Sequence, residues 1–185
     1  MDYKEIEKEL ENIDDTNNCT VISASVAFDL PYKQVSDFYF LNGRKRNKGL
    51  LSEETDKMIK KLAKKEGFKV TKYYPHQEDI VAHVSGSYTN YKKSSTRHWI
   101  TKDGDDFLCT SFGHMTAKNA ETYLPKGNYI LGVRGHVIGV KNGVVQDWTK
   151  GRKHYINRIW KVSKINKKVK TLTISEEFKT RKRFL

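Results

Sequence analysis

The chain has 185 residues, of which 37% are hydrophobic and 31% charged, and a formal net charge of +13 at pH 7. That length suits one domain with a real core, and no apolar run approaches the roughly 20 residues of a membrane-crossing helix. Two cysteines, Cys19 and Cys109, exclude the disulfide framework of a small secreted domain; the acidic N-terminus also lacks the basic-then-apolar order of a secretory signal, so the expected compartment is a cytoplasm.

Taken in chain order, the helices come first. Asp2 caps a helix whose face is Tyr3, Ile6, Leu10 and Ile13. Asn17 or Asn18 caps a second helix, Cys19 to about Phe28, rich in Ser and Ala and suited to close packing. Pro31 restarts a third, with Val35, Phe38 and Leu41 inward and Asn42-Gly43 as its stop. Arg44 to Gly49 reads as a basic loop. Ser52 is the expected cap of a fourth helix, with Met58, Ile59 and Leu62 on its apolar face and Gly67 at its end.

Phe68 to Tyr74 alternates as a short strand, and residues 75 to 96 give no single pattern, only short elements and a loop. Thr116 is the expected cap of a short helix with Ala117, Ala120, Tyr123 and Leu124 inward. From Asn128 the period changes to that of strands: Tyr129 to Val133, His136 to Val140, and Val144 to Trp148 across the Asn142-Gly143 turn, the strongest short hairpin signal. Tyr155 to Ile165 reads as a further strand, the stretch from Lys161 to Leu185 as an edge strand followed by a frayed basic tail, and residues 166–185 as the basic segment outside the domain. Helices followed by strands predict an α+β fold in which N-terminal helices pack on a C-terminal antiparallel sheet, one domain over residues 1–165.

Three residues carry candidate chemistry. A thiol attacks as thiolate, which a helix N-terminus and a neighbouring imidazolium both favour; Cys19 stands at a helix start. His136 and Asp147 are 11 residues apart with the turn near the middle, which sets them roughly opposite on one sheet face, where a carboxylate fixes the tautomer of the ring. The Cys19 N–H with the Asn17 or Asn18 side chain is the candidate oxyanion cradle. Trp148 and Trp160 read as core or groove-lining. Cys109, His114 and His98 match no paired zinc spacing, so neither a metal nor a cofactor is expected.

These stretches resemble a known group. Asn18 to Ala24 followed by Gly43 to Gly49, then Leu124 to Leu131, Arg134-Gly135-His136 and Asn142 to Asp147, resemble small phage and bacterial proteins of the papain-like cysteine peptidase superfamily. The resemblance covers the helical first third and about residues 116–148. It implies a papain-like α+β fold with a Cys-His-Asp site, carried onto Cys19, His136 and Asp147. One departure is Thr20, where the pattern more often has an apolar residue.

Two functions are expected from this. One is a cysteine hydrolase (peptidase, amidase or acyl transferase) acting on a protein or peptide substrate, in a host-cell cytoplasm if phage-encoded. The other is a catalytically inactive papain-like binding protein. The charge is uneven: residues 1–15 hold seven acids against two lysines, and the last 25 hold nine Lys and Arg against Glu176 and Glu177. Such a surface attracts nucleic acid or an acidic host protein, with Arg44, Lys45, Arg46 and Lys48 as a possible contact loop and a solvated loop as its plainer role.

Overall fold

The computed structural model describes residues 2–11, 13–76 and 96–165. Among them are five helices, α1 (Tyr3–Leu10), α2 (Cys19–Phe28), α3 (Tyr32–Leu41), α4 (Ser52–Glu66) and a four-residue α5 (Ala120–Tyr123). The strands are β1 (Phe68–Pro75), β2 (Thr96–Ile100), β3 (Phe107–Phe112), β4 (Asn128–Val133), β5 (His136–Lys141), β6 (Val144–Gln146) and β7 (Arg158–Lys164). They form one antiparallel sheet in the order β3-β2-β1-β7-β4-β5-β6. The fold is α+β, and no helix among the described residues is long and apolar enough to cross a membrane.

Alternation along the central strands divides two cores. Ile130, Val137, Trp160 and Val162 face α1–α4 and join Val21, Val26, Phe28, Tyr32, Val35, Ile59 and Leu62. Tyr129, Leu131, Ile138, Val140 and Ile159 face the other way, onto Trp99, Leu108, Met115, Ala120 and Ile156. The small residues of α2 serve this packing: every residue from Thr20 to Phe28 is buried. At Gly139 a Cβ would lie 2.7 Å from Val26 Cβ and 3.2 Å from Ser23 Cα, so only a glycine lets the α2 backbone approach β5 this closely.

Helix α2 and strand β5 run side by side in the same direction. Gly139 meets Ser23 and Val26 at mid-length, and Lys141 Nζ donates to Asp29 Oδ1 at 2.8 Å at the far end. The lengths agree: ten helical steps rise about 15 Å, and the five strand steps from His136 to Lys141 about 17 Å. Two elements anchored so bring their first residues, Cys19 and His136, to the same end.

Several local expectations change. Ser52 is the first residue of α4, after Leu51 as N-cap, whose N–H donates to Glu54 at 2.8 Å. Leu41 is 88% exposed, and Tyr32 and Tyr39 fill the buried face of α3 beside Val35. Asn119 rather than Thr116 caps α5; Thr116 opens the preceding turn, its N–H bonded to Asn119 Oδ1. Strand β6 stops at Gln146, and β7 begins at Arg158, with Tyr155 only bridged to Thr116. Residues 161–164 lie in a central strand between β1 and β4, not at an edge; the segment expected over 166–185 lies outside the described residues. So does most of 75–96, but its ends close β1 and open β2.

Candidate active site

Cys19 is the first residue of α2, where backbone N–H groups have no partner inside the helix. The Asn18 carbonyl takes the first two helical bonds, from Val21 and Ile22. The Asn18 side chain makes no cap bond; it is buried and donates to the Tyr32 hydroxyl at 3.3 Å. It therefore does not line the cleft beside Cys19, whereas Asn17 does.

What fixes the approach to Cys19 is a buried ion pair. Arg44 donates from both terminal nitrogens to Asp15, at 2.6 and 3.0 Å, and donates again to the Asn17 carbonyl at 2.9 Å. The Asn47 N–H completes the shell at 2.9 Å. Burial alone would raise the Asp15 pKa, but the Arg44 and Asn47 bonds outweigh it and hold the carboxyl below its usual range. Asn47 also accepts from the Thr16 N–H and, at its carbonyl, from Asn17 Nδ2. The expected contact loop is corrected accordingly. Arg44, 2% exposed, is a structural clamp because a cation with this many donors filled has no reach outward; Lys45, Arg46 and Lys48 remain exposed.

His136 begins β5, after the Arg134-Gly135 loop in which Gly135 takes φ +73°. The β5–β6 ladder runs from Lys141↔Val144 to Gly139↔Gln146 and stops. Asp147 lies one residue beyond, so it meets His136 on a diagonal rather than directly across. His136 Nε2 lies 3.0 Å from Asp147 Oδ2 and 3.2 Å from Oδ1. Asp147 is itself fixed: its Oδ1 accepts from the Thr149 N–H at 2.8 Å and the Thr149 hydroxyl at 2.7 Å. With Nε2 engaged, Nδ1 is the ring nitrogen left for the Cys19 thiol. Burial works against the charged ring, but hydrogen bonding and charge from Asp147, then from Cys19, override it and raise the His136 pKa to about 9. The Trp148 ring packs on His136 with centroids 5.5 Å apart, and the Arg152 guanidinium lies 4.6 Å over Trp148.

Cys19 and His136 open onto one cleft of about 190 Å³. Its lining comes from the N-terminal end of α2, from Gly49, Leu50 and the first turn of α4 (Ser52, Thr55), and from Gly132, Val133, Val137, Arg158 and Trp160 of the sheet. Among the described residues the buried Thr20 hydroxyl, beside Cys19, finds no hydrogen-bond partner. Trp160 is held from behind by Asp56, which accepts from its indole N–H at 2.6 Å. Among the described residues no three His, Cys, Asp or Glu side chains gather as metal ligands. Cys109 is buried, which pushes its thiol up to about 11.

Sequence reasoning brought Cys19, His136 and Asp147 forward, and the three lie together. It missed Thr149, Arg158 and the Gly49–Leu50 wall. Asp147-x-Thr149 carries a local signal, the side-chain-to-backbone turn of an aspartate two residues ahead. Arg158 shares the parity of Trp160 and Val162, which marks its sheet face. Comparison with protein-family models, with curated proteins and with solved structures finds no match to the chain.

Proposed function

We propose that this protein is a papain-like cysteine hydrolase or acyl transferase, acting on an amide or thioester carbonyl of a protein or peptide in a reducing cytoplasm. The observation that carries the reading is the His136 ring, anchored through Nε2 by both Asp147 oxygens and raised toward its charged form, next to a thiol at a helix start inside an open cleft.

The chemistry follows from those positions. Cys19 sulfur adds to the carbonyl carbon, and the carbonyl oxygen takes up the negative charge. The Cys19 N–H and the second N–H of Asn17 Nδ2, whose first goes to the Asn47 carbonyl, are the donors available to it. Imidazolium His136 protonates the leaving amine or thiol as the tetrahedral adduct collapses to a Cys19 thioester. Neutral His136 then takes a proton from water, or from an acceptor nucleophile, as it attacks that thioester and releases the thiol. Asp147 keeps the ring oriented and favours its cation throughout.

Iodoacetamide with mass spectrometry tests the reading. At pH 7 Cys19 is alkylated and Cys109 is not, because Cys109 is buried with a raised pKa. His136→Ala slows Cys19 alkylation. Equal, slow labelling of both thiols would defeat the proposal.

The net charge of +13 favours a second reading, a binding protein on this fold that holds nucleic acid or an acidic host protein. It predicts salt-sensitive retention on DNA that is unchanged in Cys19→Ala. Retention indifferent to salt would remove it.

A further inference from the structure

Resting on the hydrolase reading, we infer that the cleft selects acyl substrates with an acidic side chain near the scissile bond, and that Arg158 is the specificity-determining residue. The titratable side chains lining the cleft among the described residues are Cys19, His136 and Arg158, so it presents two basic groups and no carboxylate beside the thiol. The Arg158 side chain is oriented by its surroundings. Its Nε donates to Asn157 Oδ1 at 3.2 Å, and its guanidinium carbon lies 5.8 Å from the centre of the Trp160 ring. Neither contact occupies the two terminal nitrogens, and among the described residues no carboxylate pairs with them.

The acid bonded to the Trp160 indole is already committed. Asp56 accepts from the Trp160 indole and pairs with Lys72 at 3.1 Å and Lys60 at 3.5 Å. Gly132 keeps the wall in place, since a Cβ there would stand 3.3 Å from Arg158 Cβ and from Trp160 Cζ3. A planar guanidinium with two parallel donors free matches a carboxylate better than a neutral amide.

The test uses iodoacetyl reagents whose carboxylate stands at increasing reach: iodoacetate, N-iodoacetylglycine and the α-amide of N-iodoacetylglutamate. Each is run against its neutral amide on the full chain, with the Cys19 adduct followed by mass spectrometry. The carboxylate of best reach alkylates Cys19 about tenfold faster than its amide, as one charge-assisted pair allows. Arg158→Gln brings that ratio to one and Arg158→Glu inverts it; each ratio is taken within one protein, and far-UV circular dichroism and the urea midpoint of each variant report that it folds. A best response with the glutamate reagent supports an acidic side chain; a best response with N-iodoacetylglycine, which mimics a chain-terminal carboxylate, overturns that choice of source. Ratios near one at every reach, or a ratio that survives Arg158→Gln, overturn the inference. Failure of the hydrolase reading looks different: the neutral reagents then do not distinguish Cys19 from Cys109.

Discussion

Arg44 and Asp15 form a two-bonded ion pair with side chains 0% and 1% exposed, and the same guanidinium holds the Asn17 carbonyl two residues ahead of Cys19. Three donors from one planar cation thus set the entry of the chain into α2. A lysine cannot reproduce that fork.

Breaking this clamp leaves a buried charge without its partner. Arg44→Ala is expected to lower unfolding stability by about 3–5 kcal/mol, measured by urea denaturation, and Arg44→Lys to fall between it and wild type. Lys45→Ala, at an exposed position of the same loop, should stay within about 0.5 kcal/mol. Equal effects from Arg44→Ala and Lys45→Ala would show that the pair does not hold the loop.

The raised His136 pKa sets a stability window in pH. A group whose folded pKa exceeds its unfolded value stabilises the fold fully below the unfolded value, here near 6.5, and loses that contribution as pH rises through the folded value of about 9. Wild type should therefore lose on the order of 2 kcal/mol between pH 6.5 and 9.5 that His136→Gln does not lose. Thermal unfolding of both across that range is the measurement, and parallel curves would refute the coupling.

Asp147→Asn keeps the shape at that position and removes the charge that favours the imidazolium. The ring pKa should fall toward its ordinary value, and Cys19 alkylation at pH 7 should slow by about tenfold. A profile of alkylation rate against pH separates this from a folding defect, because its midpoint moves as well as its height.

Gly139→Ala inserts a methyl group against Val26 at 2.7 Å and the backbone of Ser23 at 3.2 Å. The expected cost is about 1–3 kcal/mol, seen in denaturant midpoints, with a matching drop in Cys19 reactivity as α2 shifts from β5. Full retention of both would show that the helix approach is adjustable.

The helical half was legible because its signals are local. Asn18, Asp29 and Pro31 bracket α2, and the Asn142-Gly143 turn, with both residues at positive φ, fixes the β5–β6 hairpin. Strands β2 and β3 were not legible, because burial there runs against polarity. Arg97 and Ser111 are buried, Ser111 accepting the Trp99 indole N–H, while Phe107 and Phe112 at the ends of β3 are exposed. Arg44 was misread for another reason: its partner Asp15 lies 29 residues upstream, so a run of basic residues hid one that the fold turns inward. Cys19, His136 and Asp147 were found because a helix start and a tight hairpin each have a short-range signature. Arg158 shows only its parity with Trp160 and Val162, which gives a face and not a site; the pairing of β7 with β4 carries it to Gly132.

The glycine contact between α2 and β5 has a mechanical consequence. Backbone resting on side chain, with an ion pair at the far end, makes sulfur and imidazole two points on one rigid body. Their spacing is set by packing within that body. Gly49 and Leu50 line the same cleft but belong to a loop rather than to α2 or the sheet, so adaptation to substrates of different bulk falls to them.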